Sequence, residues 1–115
     1  MKTLREWQDF CHKEAALAGW WGEPSEPANV PQKLLLIHSE ISEACEADRK
    51  GLMDDKLSHR SGIEVELADA VIRILDLAGK LRLDIEGAMI EKMAYNRLRA
   101  DHKPENRAKT GGKKY

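Results

Sequence analysis

The sequence contains few of the features that stabilise small proteins without a packed core. Among its 115 residues are two cysteines, Cys11 and Cys45, which have no CxxC spacing. This excludes a disulfide framework and a cysteine-rich zinc site, and we interpret both cysteines as small buried apolar residues. No apolar run approaches the roughly 20 residues of a membrane-spanning helix, and no signal-peptide pattern opens the chain. A cytoplasmic location without membrane contact is therefore expected.

Strong charge of either sign is also missing. The net charge is −1, which argues against nucleic acid as a partner. Hydrophobic residues make up 42% and charged residues 34%, a balance that favours one folded domain over disorder. Aromatic residues amount to only 5%, yet three of them are tryptophans. Those tryptophans therefore need a specific explanation.

Signals for β-strands are absent. No segment alternates apolar and polar residues, and no Asn-Gly or Asp-Gly hairpin turn occurs. Apolar residues instead recur at helical spacing in four segments, residues 3–18, 31–50, 62–80 and 85–101. The prediction is an all-α fold, a four-helix bundle over residues 1–101. The basic segment 102–115 is expected to be a flexible tail.

Local signals fix the ends of these helices. Thr3 and Glu6 have the spacing of a capping box, Gly51 is placed to end the second helix, and Asp84 is placed to cap the fourth. Residues 20–31 contain three prolines and two adjacent tryptophans. Long loops of this kind are usually functional or disordered, and tryptophans are poor candidates for disorder. We therefore expect a functional loop there.

The most informative pattern is a pair of acids on each of two apolar helices. Glu40 and Glu43 lie one turn apart on the second helix, and Glu66 and Asp69 lie one turn apart on the third. Burying unpaired carboxylates would be costly, and a divalent cation held between the helices would remove that cost. Oxygen ligands alone suit Mg²⁺, Mn²⁺ or Ca²⁺ rather than zinc.

The simpler alternative is that these acids line the solvated face of amphipathic helices. One ExxE motif alone would favour that alternative, whereas two motifs on successive helices favour a metal site. Glu64 is expected to face solvent. Asp76 is interpreted either as an accessory residue or as a partner of Arg73. His38 and His59 lack companion ligands and are interpreted as ordinary helix and loop residues.

Three stretches of the chain resemble one known family. They are LLLIHSEISEACEADRKG, EVELADAVIRILDLA and KMAYNRLR, and they resemble the MazG-like all-α nucleoside triphosphate pyrophosphohydrolases, relatives of dimeric dUTPases and dCTP pyrophosphatases. The family signature is EExxE followed by ExxD, and the resemblance extends from His12 to the tail. It implies a Mg²⁺ site, in which Mn²⁺ can substitute, with Ser39 in place of the first acid. The implied ligands and catalytic carboxylates are Glu40, Glu43, Glu66 and Asp69.

The resemblance also implies two groups of substrate contacts. Triphosphate contacts are implied for Lys92, Asn96 and Arg99 on the last helix. Base contacts are implied for His12 and Trp21, because an indole ring can stack on a nucleobase. Trp20 is left between the base site and the core. The basic tail either closes over the triphosphate or is unstructured.

The implied activity is hydrolysis of a nucleoside triphosphate, preferably a deoxynucleotide, to its monophosphate and pyrophosphate in nucleotide-pool housekeeping. Water would attack at the α-phosphorus. The relatives form homo-dimers or homo-tetramers, so a homo-oligomer is expected. One alternative is a non-catalytic helical interaction module, antitoxin-like or an adaptor. A di-iron bundle is disfavoured, because the chain has no Glu-x-x-His pair.

Overall fold

All regular structure in this protein is helical. The computed structural model describes residues 1–115. Its named elements are all helices, which confirms the predicted all-α class. None of the helices combines the length and apolar character that spanning a membrane would require. The helices are α1 (Leu4–Leu17), α2 (Val30–Lys50), α3 (Gly62–Lys80), α4 (Ile85–Leu98), a 3₁₀ turn (Ala100–His102) and α5 (Pro104–Arg107).

Capping side chains and a left-handed glycine mark the starts and ends of the helices as the sequence predicts. The Thr3 hydroxyl accepts a hydrogen bond from the Glu6 backbone N–H, and the Glu6 side chain accepts one from the Thr3 N–H, which completes a capping box. A second capping box joins Ser61 and Glu64 at the start of α3. Glu64 is exposed, as predicted. Gly51 ends α2 in the left-handed region at φ 60°, and the Asp84 side chain caps α4.

The chain divides into two compact units, Met1–Leu83 and Asp84–Tyr115. In the first unit, α3 packs against both α1 and α2. The second unit contains α4, the 3₁₀ turn and α5, so short helices occur in the segment expected to be a flexible tail. Along the chain, the first unit ends at residue 83, whereas the sequence analysis places the boundary after residue 101.

Two glycines bring α3 close to its neighbours. A Cβ atom on Gly79 would lie 2.5 Å from the Cβ of His12 on α1. A Cβ atom on Gly62 would lie 2.9 Å from the Cβ of Ala47 on α2. Real Cβ atoms do not approach so closely, so α3 is held against α2 at its first residue and against α1 near its last turn.

Small side chains account for much of what is buried. The buried apolar residues are Cys11, Trp21, Ala44, Ala47, Ala70, Leu75, Leu77 and Ala78. No large side chain is fully buried. Cys45 is exposed, so the prediction that both cysteines are buried is wrong for this one. The buried residues of α2 include Ala44 and Ala47, and the next residue after Ala44 points about 100° away around the helix.

We expect Gly79→Ala to destabilise the protein, although Gly→Ala inside a helix ordinarily stabilises it by about 1 kcal/mol. The new methyl group would overlap His12, and such overpacking costs about 1–3 kcal/mol. Urea unfolding measures the difference. Ser42→Ala, at an exposed position of α2, is the control for helix propensity. A Gly79→Ala protein at least as stable as wild type would show that α1 and α3 do not approach this closely.

Candidate metal centre

Three carboxylates from two helices meet at one point. Glu40 and Glu43 lie one turn apart on α2, and Glu66 projects from α3. One oxygen from each side chain lies within 4.8 Å of the other two. Glu40 is buried, with 7% of its surface exposed, while Glu66 is half-buried and Glu43 is exposed. The packing of α2 on α3 therefore brings together three of the four predicted metal-binding acids.

Asp69, the fourth predicted acid, stands beside this group rather than within it. It follows Glu66 by one turn of α3 and lines the same cavity as Glu40. Burial raises the pKa of Asp69, and the negative charge of Glu40 raises it further, whereas Arg73 opposes the shift. Asp69 thus lies within electrostatic range of the three clustered acids.

The cluster resists full ionisation. Burial, together with the neighbouring Glu40 and Glu43, raises the pKa of Glu66 to about 7. The Oε2 atom of Glu66 is buried without any hydrogen-bond partner. A buried carboxylate oxygen without a partner is costly. This observation points to a positively charged partner for the group.

Arg73 supplies one positive charge to the cluster. Its Nε donates a 2.8 Å hydrogen bond to Oε1 of Glu40. Burial opposes ionisation of Glu40, but this hydrogen bond and the charge of Arg73 bring its pKa below the ordinary value. Arg73 therefore pairs with Glu40, and the alternative in which Asp76 is its partner is wrong. Asp76 instead contacts His12 of α1 and Trp21 of the loop that follows α1.

The donor set fits a hard divalent cation. All three clustered groups are carboxylates, and no histidine or cysteine belongs to the group. Oxygen-only ligands are typical of Mg²⁺, which also retains several waters and substrate oxygens. Bound there, a cation would provide the missing partner for Glu66 Oε2 and reduce the repulsion among the three acids.

A cavity of about 660 Å³ is lined by Glu40, one of the three clustered carboxylates, and by Asp69. Its volume lies in the range typical of small-molecule sites. Its wall combines charged and aromatic side chains, all from the first compact unit. The charged residues are Glu14, Lys33, Glu40, Asp69, Arg73 and Asp76, and the aromatic ones are Trp7, Phe10, Trp20 and Trp21.

The two adjacent tryptophans have opposite environments. Trp21 is only 8% exposed, and its Nε1 donates a 2.7 Å hydrogen bond to Oδ1 of Asp76. The same oxygen lies 2.9 Å from Nδ1 of His12. Trp20 is 75% exposed, so its alternative assignment to the core is wrong. The structure brings His12 and Trp21 together through Asp76 and places Trp20 on the wall of the cavity.

A cation lies over the buried indole. Nζ of Lys33, from the first turns of α2, is 4.4 Å from the centroid of the Trp21 ring. Nζ of Lys80 is 5.7 Å from the same ring. Both distances suit a cation–π interaction. One face of Trp21 is therefore already in contact with protein.

The predicted phosphate-binding residues all lie in the second unit: Lys92 in the middle of α4, Asn96 in its last turn and Arg99 just beyond it. Nζ of Lys92 is 4.8 Å from the ring centroid of Tyr95. Arg99 donates from Nε and Nη2 to the two carboxylate oxygens of Asp101, at 3.0 and 2.7 Å, and from Nη1 to Oδ1 of Asn96 at 3.4 Å. This pairing lowers the pKa of Asp101. Asn96 and Arg99 are thus brought together, with Asp101 as a partner that sequence reasoning missed.

Sequence reasoning also missed the contributions of Lys33, Arg73, Trp7 and Phe10 to the cavity. The Trp7 and Phe10 rings meet edge to face, with centroids 5.9 Å apart, and their one-turn spacing on α1 is a signal for such contact. Arg73 follows Asp69 by one turn, which also marks it as a neighbour of the acids. The contact of Lys33 with Trp21 has no comparable local signal, because it depends on the loop.

Comparison of the chain with known proteins finds no matching family model, no matching characterised protein and no matching solved structure. The resemblance noted in the sequence therefore stays a prediction. The proposed function therefore rests on the three carboxylates, the cavity, and the contacts of Arg73 with Glu40 and of Lys33 with Trp21.

We expect Glu66→Gln to stabilise the metal-free protein increasingly as pH rises. Because the pKa of folded Glu66 is raised from its ordinary value of 4.5 to about 7, its favourable contribution is complete below the unfolded-state pKa and is lost as pH rises through the folded one. The amide stays neutral and avoids that loss. In EDTA, the Tm advantage of the variant should grow between about pH 5 and about pH 8 by about 4 °C, the scale of a typical single substitution.

Asp48→Asn is the matched control for this measurement, since Asp48 is an exposed acid on α2 away from the cluster. Its Tm difference from wild type should show no such rise across this pH range. If the Tm difference for Glu66→Gln were also independent of pH, Glu66 would not be forced towards its protonated form by its neighbours.

Proposed function

We propose that this protein is a Mg²⁺-dependent nucleoside triphosphate pyrophosphohydrolase that converts a (deoxy)nucleoside triphosphate to its monophosphate and pyrophosphate. One observation carries the proposal: three carboxylates from α2 and α3 lie within 4.8 Å of one another, and one of them, Glu40, lines a cavity with aromatic walls. The buried, unpartnered Oε2 of Glu66 supports a cation at this point.

Glu40, Glu43 and Glu66 would hold the cation, with Asp69 completing the acidic surface. Bound there, Mg²⁺ would neutralise phosphate charge and lower the pKa of coordinated water. Glu40 is kept ionised and oriented by Arg73. Glu43, the exposed member of the group, is our candidate for accepting a proton from the attacking water, because solvent can reach it.

The aromatic part of the cavity suits a nucleobase. Trp7, Phe10 and Trp20 line it and remain partly exposed, and flat aromatic surfaces stack on bases of any identity. Trp21 and Asp76 line the same cavity, and Asp76 Oδ1 binds both Trp21 Nε1 and His12 Nδ1. Base recognition in this proposal therefore combines an exposed stacking surface with the hydrogen-bonded Trp21 and Asp76 on the same wall, and His12 acts through Asp76.

Lys92, Asn96 and Arg99 enter the proposal as triphosphate ligands on the basis of their spacing along α4 and its C-cap. Removal of unwanted nucleotides, or adjustment of deoxynucleotide levels, is the proposed cellular role.

The proposed assembly is a homo-dimer or homo-tetramer in which a four-helix bundle is completed. Many large apolar side chains are exposed, including Leu35 at 68%, Ile90 at 67% and Leu98 at 80%. Helix α4 has no buried residue at all. Exposed apolar residues grouped on one helix often mark an interaction surface, so association with further copies would supply the missing core.

We expect the wild-type protein to release pyrophosphate from at least one nucleotide in a panel of NTPs and dNTPs with Mg²⁺, and none in EDTA. Glu66→Gln should reduce kcat by at least about 100-fold, because it removes a carboxylate that balances the cation's charge. It should also abolish the rise in Tm that Mg²⁺ produces in the wild type. Asp48→Asn is the control and should retain both properties.

Release of pyrophosphate from no nucleotide, by protein that is folded and assembled, would contradict the enzymatic proposal. If Mg²⁺ also left the Tm of the wild type unchanged, the helical interaction module would become the better interpretation. The exposed apolar faces of α4 and α2 would then be the first surfaces to test for a partner.

We expect Ile90→Glu combined with Met93→Glu to weaken self-association, because both side chains lie on one exposed stripe of α4. Light scattering coupled to size-exclusion chromatography should show a shift from oligomer towards monomer. Glu91→Lys, on the opposite side of α4 by helical periodicity, is the control. A wild-type protein that stays monomeric at high concentration would refute the proposed assembly.

A further inference from the structure

Arg73 occupies the junction between the acidic cluster and the cavity. Its Nε is hydrogen-bonded to Glu40, a member of the cluster, and its side chain lines the cavity wall. The side chain is 43% exposed, whereas that of Glu40 is 10% exposed. One end of this ion pair is therefore buried, and the other faces the space that a ligand would fill.

The hydrogen bonding of Arg73 leaves most of its donors unused. The contact with Glu40 passes through Nε, so the four N–H groups on Nη1 and Nη2 form no hydrogen bond to the protein. A guanidinium group has five donors in a rigid plane. Fixing Nε on Glu40 therefore also fixes the direction of the remaining donors.

A cation bound to the cluster would not displace Arg73 from Glu40. A carboxylate has about four lone-pair positions on two oxygens, so Glu40 can accept from Nε and contribute to a cation site together. A single divalent cation also leaves a triphosphate with net negative charge. A second positive group beside the cation would therefore strengthen ligand binding.

Lys33 is the other cation on the cavity wall, but its ammonium group already lies over the Trp21 ring. Arg73 is in contact with the cluster itself, and its Nη donors are not engaged by the protein. The arrangement therefore singles out Arg73 as the cation that can act on a ligand bound beside the three acids.

We propose that Arg73 is a substrate-contacting residue that holds Glu40 through Nε and binds a phosphate oxygen of the ligand through Nη1 and Nη2. This inference rests on the proposed function, because it requires a phosphate group at the carboxylate cluster. It adds a specific anion-binding role for a side chain whose contact with Glu40 would otherwise be explained by charge balance alone.

The test separates binding of the metal from binding of the phosphate. Mn²⁺ affinity is measured on the full-length protein by electron paramagnetic resonance, and affinity for inorganic tripolyphosphate is measured by calorimetry at saturating Mg²⁺. We expect Arg73→Gln to change Mn²⁺ affinity by less than about threefold and to weaken tripolyphosphate binding by about tenfold or more, as expected for loss of hydrogen bonds to a charged group. Arg73→Lys should recover only part of this loss, because an ammonium group cannot bridge two anions with a fixed plane.

Arg49→Gln is the control, because it removes an equal charge from an exposed position of α2, where Arg49 pairs with Glu46. It should leave both affinities unchanged. A purely structural role for Arg73 predicts a different pattern, in which Mn²⁺ affinity and Tm fall while tripolyphosphate binding at saturating Mg²⁺ is retained. That pattern, or full recovery by Arg73→Lys, would overturn the proposal.

The outcome also distinguishes this inference from the proposed function. If wild type binds Mn²⁺ and tripolyphosphate and hydrolyses a nucleotide, but Arg73→Gln equals it in all three, only the role of Arg73 is refuted. If wild type binds Mn²⁺ but neither tripolyphosphate nor any nucleotide, the proposed function fails and the role of Arg73 fails with it.

Discussion

Electrostatic repulsion among three carboxylates, held together by the packing of α2 on α3, is the constraint on which the site depends. The helices lie close together, because α3 meets α2 at Gly62 with almost no space for a side chain. Two local adjustments offset the repulsion. Glu40 is paired with Arg73, whereas the pKa of Glu66 is raised to about 7 by burial and by its neighbours. The proposed cation would remove the repulsion that these two adjustments leave.

The close contact of α2 with α3 is one example of how the first unit is packed. Its helices meet largely through alanine and glycine, which brings their backbones close but buries little apolar area per residue. Large apolar side chains are correspondingly left outside. Close helix contacts place the acids of the two helices near one another. Because these contacts bury little apolar area, the proposed association with further copies would add stability. The same small side chains thus explain both the acidic cluster and the exposed apolar surface.

Local sequence signals predicted the helices well, because caps and periodicity act within a few residues. The capping box at Thr3, the left-handed Gly51 and the capping Asp84 are all in place. The meeting of Glu40, Glu43 and Glu66 also followed from helical spacing once both helices were assumed to pack. The environments of Trp20 and Trp21 could not be predicted in this way. They depend on how the chain turns after Gly19, which adopts φ 86°, and on Asp76, which is distant in sequence and reaches Trp21 only after folding.

The distribution of charge around the cavity favours a ligand with two chemically different parts. Glu40, Asp69 and the guanidinium group of Arg73 form one part of the lining, which would suit a phosphate group together with a divalent cation. Trp7, Phe10 and Trp20 supply apolar surface elsewhere on the wall, where an anion would gain nothing. A free inorganic phosphate would use only the first region, and an uncharged aromatic molecule only the second. A nucleotide would use both, and for this reason we favour a nucleoside triphosphate as the ligand over either part alone.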